Sequence, residues 1–414
     1  MFKALKKLGP GLLFAGAAIG VSHLVQSTRA GADFGLGLLW ALLLVNLFKY
    51  PFFQFGPRYA AATGENLLQG YYKLSKGILL IYFVLNLATM FTIQTAVTIV
   101  TAGLANSLFG DISLFNSESL GVTSIQIYTL IILCICLLFL FLGKYSALDK
   151  LIKFIIIVLT ISTLTAVAFA FNTHSDEISF LQVLPKNSVE IAFLIAFMGW
   201  MPAPLDISVW HSIWAVEKKK SEKQFTPKTA LLDFNIGYAG TIILGIAFLS
   251  LGYLVMYNTG ETFSNKASEF SNQLIELYTS ALGKWAFIII GIAALTTMFS
   301  TSITTLDASP RAMSKSIELL FNKSYPKGYL FWILLLVFGT LLIFFVFASE
   351  MGLLIKIATI LSFITAPFYA IMNLILITSK HTPKEWHPNI KLQILSWLGV
   401  IFLIGFSVWY LTTL

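Results

Sequence analysis

Two groups able to take up a proton or give an electron pair to a cation, His23 and Asp206, fall inside long apolar stretches of the chain. An ionisable side chain at mid-membrane depth costs about 2.5–3.5 kcal/mol on insertion scales, so each is a functional candidate by default. His23 ends the run Gly20-Val21-Ser22-His23, and Gln26 lies three residues on, close to the same helix face. Neutral imidazole is a ligand for transition metals and titrates near neutral pH; the alternative role is a hydrogen bond to unwound backbone. Asp206 ends Gly199-Trp200-Met201-Pro202-Ala203-Pro204-Leu205-Asp206. It can bind a cation or a proton, or else cap a helix or pair with a neighbouring base. Ser22 and freed carbonyls could add hard oxygens. His211, two helical turns beyond the second stretch, reads first as packing.

Both stretches sit in segments built to cross a bilayer and to break on the way. Gly9 to Gly31 is long and apolar enough to span, but Gly20 to His23 is poor helix, with a glycine, a β-branched residue, a serine and a histidine. Pro202 and Pro204 interrupt the second segment. Freed backbone at membrane depth is tolerated only where it faces protein or a wet cavity. Two interrupted spans in corresponding places of two halves point to a transport site between them.

Composition agrees. The 414 residues are 57% hydrophobic and 11% charged, where a soluble protein carries about 25% charged residues. The net charge of +8 does not indicate nucleic acid, because the basic residues sit in short loops between apolar runs. Cys134 and Cys136, one residue apart in an apolar run, make neither a disulfide framework nor a zinc cluster. Lys3, Lys6 and Lys7 precede an apolar run longer than a signal peptide's, which reads as a retained first helix.

Eleven apolar spans are expected, at roughly 11–31, 36–57, 78–106, 125–143, 151–172, 189–215, 230–256, 283–306, 329–348, 351–378 and 392–412. With the N-terminus inside, the inside loops hold 21 of the 27 basic residues, including Lys144, Lys150, Lys153 and the Lys218-Lys219-Lys220 run. That alternation supports eleven spans, N-terminus in and C-terminus out. Spans one to five and six to ten then have opposite orientation, an inverted repeat whose two first helices are the broken ones. The expectation is one transmembrane domain over 1–414, with repeat one at 11–172, repeat two at 189–378 and an extra helix at 392–412, in a cell membrane of the bacterial inner type. The polar stretches 107–124, 173–188, 216–229 and 257–281 are too short for a soluble domain. Tyr71, Tyr72, Trp285, Trp386 and Tyr410 sit near span ends, as interfacial anchors do. Asp307 and Arg311, four apart, are spaced for an ion pair.

The chain resembles the Nramp family of divalent-metal transporters at Gly9-Pro10-Gly11 and at Arg29-Ala30-Gly31-Ala32-Asp33-Phe34-Gly35, with matching spacing between them. The likeness continues in Leu38-Leu39-Trp40, Met201-Pro202, His211-Ser212, Ser300-Thr301-Ser302-Ile303-Thr304-Thr305 and Phe363 to Phe368. It implies an all-α integral membrane fold of the LeuT type, a five-plus-five inverted repeat with one extra helix. The family's Asp-Pro-Gly-Asn falls on Gly20-Val21-Ser22-His23, so its metal ligands are replaced. Its Met-Pro-His reads Met201-Pro202-Ala203, which leaves a sulfur ligand and no histidine; anchored on His211-Ser212 instead, the match shifts by about three residues. Its acidic proton path falls on Asn86, Ile93 and Ala96, and its helix-ten glutamine near Thr365.

The implied substrate-binding set is Gly20, Ser22, His23, Gln26, Met201, Ala203, Asp206 and Thr365, with His23, Asp206 and Met201 as metal ligands. The first functional expectation is alternating-access transport of a divalent metal cation without the usual proton pathway. The alternative keeps the fold and carries a small organic solute. A third, a binding or sensor protein, finds no support in the short loops. No Walker, Rossmann or zinc-protease motif and no catalytic constellation is present, so neither an enzyme nor a cofactor is expected. The sequence does not set the oligomeric state.

Overall fold

The structure, a computed structural model, describes residues 9–112, 123–142, 145–174, 177–222, 225–347 and 351–413, with backbone alone for 145–156. Lys3, Lys6, Lys7, Lys144 and Lys223 of the basic-loop pattern lie outside the described residues, as do the side chains of Lys150 and Lys153. All regular structure among the described residues is helical. The chain runs α1 (Pro10–Ala18), a π-turn (Ser22–Ser27), α2 (Thr28–Phe34), α3 (Leu39–Thr63), α4 (Leu67–Leu74), α5 (Lys76–Phe109), α6 (Ser124–Phe141) and α7 (Tyr145–Thr173). It continues through α8 (Ser188–Trp200), α9 (Ile207–Ser221), α10 (Pro227–Met256), α11 (Ala267–Leu282), α12 (Ala286–Phe321), α13 (Gly328–Phe347), α14 (Met351–Thr378) and α15 (Ile390–Leu411).

By length and composition, seven of the described helices can cross a membrane: α5, α6, α10, α12, α13, α14 and α15. The bent pair α1–α2 makes an eighth; α8 and the described part of α7 are shorter apolar helices. α3 is less apolar because it carries buried Asn46, Lys49 and Gln54 and two internal prolines, Pro51 and Pro57. Large apolar side chains stand exposed on the outer faces, among them Leu80, Ile81 and Val84 of α5, Leu334, Phe338 and Leu342 of α13, and Trp397 and Ile401 of α15. A surface of this kind suits lipid rather than water.

The expected spans miss two amphipathic helices. α11 occupies most of the polar stretch 257–281 and buries Phe270, Leu274, Ile275, Leu277 and Tyr278; its apolar residues recur at helical spacing, but the polar residues between them hide the run. α4 starts on a capping box made by Asn66 and Gln69. Its Tyr71 is fully buried, with the hydroxyl donating to Asn373 Oδ1 at 2.6 Å, so it is no interfacial anchor. Tyr410 is buried too, whereas Trp285 is 68% exposed as an anchor would be.

α10 is the helix on which the first segment is laid. It packs against α1, the π-turn and α2 in succession. Contact is backbone to backbone: a Cβ on Gly11 would lie 2.2 Å from Asp233 O, and one on Gly31 would lie 1.9 Å from Leu249 O. Small residues permit this approach between membrane helices, where packing rather than water expulsion drives association. Gly199 of α8 does the same against α14, where a Cβ would meet Thr359 O at 2.1 Å.

Candidate transport site at two broken helices

The first break falls at Ile19–Gly20. α1 and the helix resuming at Ser22 meet at 46°. The chain re-enters helix through His23 N–H and Leu24 N–H, both donating to Gly20 O at 3.1 and 2.9 Å. It does so as a π-turn, whose longer i→i+5 pitch is a recurrent feature of functional sites. Glycine fits at position 20 because a Cβ would lie 2.9 Å from Thr301 Oγ1 on α12. Side chains serve the freed carbonyls. Ser22 Oγ is 2.7 Å from Ala18 O, and Thr301 Oγ1 donates to Gly16 O at 3.3 Å. Ser27 Oγ and Thr28 Oγ1 reach Ser22 O and His23 O.

His23 is fully buried within this turn. Its Nε2 lies 2.9 Å from Thr241 O on α10, and a carbonyl can only accept, which assigns the proton to Nε2. Nδ1 sits 2.7 Å from Ser22 Oγ and 3.2 Å from Ala18 O. The imidazole thus clasps the break to α10 with both nitrogens engaged.

The second break runs from Met201 to Asp206, between α8 and α9. Pro202 and Pro204 bring no N–H to continue the helix, and the Met201–Pro202 peptide is cis. The two breaks touch: Ser22 Oγ is 3.3 Å from Pro202 O. The carbonyls left over at the end of α8 are taken by Lys49 of α3. Its Nζ donates to Met198 O and Gly199 O at 2.7 Å each and to Ala203 O at 3.2 Å.

Two cavities lie at the breaks and share Pro204 as a wall. The larger, about 20 Å³, has room for about one water. Ala17, Ala18, Val21 and Ser22 form one side, Trp200, Ile207 and Trp210 the other, and Thr301 and Thr305 of α12 close it. Trp210 is buried and its indole N–H has no partner. The smaller holds Asp206 against Thr89 of α5 and Ser362, Thr365 and Tyr369 of α14, with no room for a water. Both oxygens of the Asp206 carboxylate are buried without a hydrogen-bond partner. The hydroxyls of Thr89, Ser362 and Thr365 donate to Leu85 O, Ala358 O and Leu361 O within their own helices. What they can offer a neighbour is lone pairs. The Tyr82 hydroxyl and both amide atoms of Asn86, two turns and one turn before Thr89 on α5, are also buried without partners.

The expected site residues divide accordingly. Gly20 and Ser22 stand at the first break and Ser22 faces the larger cavity, while Asp206 and Thr365 share the smaller one. His23 and Met201 line neither. Met201 is buried with its sulfur 3.3 Å from where a Cβ on Gly245 would be, so it packs toward α10. Gln26 is buried in the π-turn, whose pitch differs from the α-helical spacing that put it on the face of His23. Ala203 contributes its carbonyl to Lys49. His23, Met201 and Asp206 therefore do not converge in this conformation, and no group of three or more His, Cys, Asp or Glu side chains gathers as a metal site among the described residues. His211 is packed between aromatic rings, 5.5 Å from Phe14 and 5.8 Å from Phe234. Asp307 and Arg311 do pair, at 2.7 Å, with Tyr329 donating to the same carboxylate.

Sequence reasoning passed over Lys49, Tyr82, Thr89, Ser362 and Tyr369. The signal for Lys49 was present, since a lysine within an apolar span is itself a candidate. Ser362, Thr365 and Tyr369 are spaced three and four apart, one face of a helix.

Comparison with known proteins gives the same architecture. A manganese transporter of Eremococcus coleocola, solved with an aromatic bis-isothiourea compound, superposes with a TM-score of 0.74 at 15% identity, over 98% of this chain and 86% of its own. MhsT, solved with L-phenylalanine, superposes at 0.66 with 13% identity, over 96% and 98%. These likenesses show a LeuT-type fold. An uncharacterised protein of Pasteurella multocida is 35% identical over 413 residues, 98% of this chain and 91% of its own. The family model described as natural resistance-associated macrophage protein-like matches residues 11–413, and the chain belongs to that family, Nramp, whose members are membrane transporters and not enzymes.

Proposed function

We propose that this protein is a secondary transporter of a divalent metal cation, working by alternating access, with Asp206 as the anion that meets the cargo. The carrying observation is the Asp206 carboxylate, buried with no side chain in hydrogen-bond contact and faced by Thr89, Ser362 and Thr365, whose hydroxyls donate within their own helices. A buried carboxylate left in that state is costly by several kcal/mol. A cation or a proton relieves the cost, and a donor set made wholly of oxygens suits a hard ion. The orphaned Tyr82 hydroxyl and Asn86 amide nearby add to the polar atoms awaiting an occupant. Kinship with the Nramp family and the fold shared with a manganese transporter support a divalent metal. The carboxylates of the family's third-helix path are absent here, where Asn86, Ile93 and Ala96 stand, which leaves Asp206 as the acid at the breaks able to exchange a proton.

The test is uptake of Mn²⁺, Fe²⁺, Cd²⁺ and Mg²⁺ into proteoliposomes by wild type and Asp206→Asn. Uptake of at least one ion by wild type and its loss in the variant is expected. Failure of wild type to move any of them, or full activity in Asp206→Asn, overturns the proposal.

A second reading, a small organic solute, rests on the mostly apolar walls of the larger cavity and the unpartnered indole N–H of Trp210, and requires that cavity to widen from its one-water volume as the helices move. It predicts thermal stabilisation by amino acids or carboxylates and none by metals.

A further inference from the structure

Lys49 is fully buried and has no role in the transport reading above. Its surroundings define its charge. Three carbonyl oxygens, of Met198, Gly199 and Ala203, lie at 2.7, 2.7 and 3.2 Å from Nζ. An ammonium has three donors and no lone pair, and here each donor has one acceptor. A neutral amine would turn a lone pair on one of the carbonyls. The acceptors are the last carbonyls of α8 and one from the break, the place where a helix leaves its C-terminal partial negative charge. At the other side of the same break, Asp206 stands at the start of α9, where the partial charge is positive. Each cut end of the interrupted helix thus carries a complementary charge supplied by the chain itself.

We infer that Lys49 is a tethered cation occupying a monovalent-cation site built from Met198 O, Gly199 O and Ala203 O. Unwound carbonyls and half-helix C-terminal ends are the groups that hold free alkali ions in broken-helix transporters; here an ammonium on α3 fills that position permanently. The protein therefore holds its second break together without Na⁺ or K⁺, and truncating Lys49 creates a vacant site for an alkali ion or a primary alkylammonium. The inference concerns the carbonyl site and does not rest on the identity of the cargo.

Thermal unfolding of the purified full-length protein tests it, in buffers whose monovalent cation is Na⁺, K⁺ or choline, with and without n-propylammonium. Wild type is expected to melt at the same temperature in all of them. Lys49→Met, which keeps the stem and loses the charge, is expected to melt about 5–10 °C lower, the scale of breaking a buried charged contact. Lys49→Ala is expected to regain at least half of its own loss with n-propylammonium, which replaces the atoms removed, or with Na⁺ or K⁺. Lys49→Met/Asp206→Asn is expected to stay as unstable as Lys49→Met. A wild type stabilised by Na⁺ or K⁺ over choline overturns the inference, a readout that needs no variant to fold. So does a Lys49→Met melting with wild type, or a Lys49→Ala that no cation restores. A double variant that returns to wild-type stability also overturns it, since Lys49 would then serve only as the counter-charge of Asp206.

Discussion

Asp233 of α10 holds the start of α1, and removing its charge should loosen that end of the path. Its carboxylate accepts the Gly9 N–H at 3.1 and 3.2 Å through its two oxygens and the Gly11 N–H at 2.8 Å. These are N–H groups that a helix start leaves without internal partners. Hydrogen bonds to a charged group are worth about 1.5–3 kcal/mol each. Asp233→Asn keeps the shape and one acceptor, so the expected loss is about 1–3 kcal/mol, close to one such bond. The loss applies only where α1 lies against α10, so it shifts the balance toward an undocked α1 by about 5–150-fold. Ala17 lines the larger cavity and gives a reporter. With Cys134 and Cys136 replaced by serine, a cysteine put at position 17 should react with a soluble thiol reagent at least about 5-fold faster in the Asp233→Asn background. Far-ultraviolet circular dichroism checks that the helices are retained. An unchanged labelling rate in a folded variant would refute the reasoning, because the carboxylate would then not hold α1 in place.

Two further predictions concern stability. Gly199→Ala puts a Cβ 2.1 Å from Thr359 O, a backbone atom that cannot turn aside, and should destabilise by about 2 kcal/mol or more; Gly240→Ala on α10, where a Cβ meets nothing within 4 Å, should be neutral or stabilise by up to about 1 kcal/mol, so thermal midpoints in the opposite order would count against the packing argument. His23→Phe removes the clasp between the first break and Thr241 O and should cost about 1–3 kcal/mol while leaving the metal affinity measured by calorimetry unchanged, because both imidazole nitrogens already have protein partners; a large fall in affinity would restore His23 as a ligand.

The two interruptions were legible because their causes are local. Gly20 and the closely spaced Pro202/Pro204 pair weaken helix locally, and both segments break where those residues stand, although single prolines such as Pro51 and Pro57 are carried inside α3. The grouping around Asp206 was less legible because it is made across the fold: Thr89 comes from α5 and Ser362, Thr365 and Tyr369 from α14. The spacing of the last three is visible in the sequence, but nothing there says which helix they face. His23 was placed on the right element with two readings open, and its partners, a neighbouring serine, Ala18 O at the break and a carbonyl 218 positions away, fit the hydrogen-bonding one. Lys49 was passed over because its partners are backbone carbonyls that no residue-type pattern reveals. Likewise α11 was hidden by its polar residues, although its apolar face is regular.

The π-turn at Ser22–Ser27 acts as an extra residue spliced into the first segment. In an α-helix each residue advances the azimuth by about 100°, so everything beyond Ser27 is turned by about that angle relative to a straight continuation of the preceding turn. That rotation sets Gly31 against Leu249 and its neighbours. Excising one amino acid between Ser22 and Ser27 would let the segment wind as ordinary helix with Gly31 still against α10, whereas winding the full sequence as ordinary helix would swing a bulkier neighbour of Gly31 into that contact.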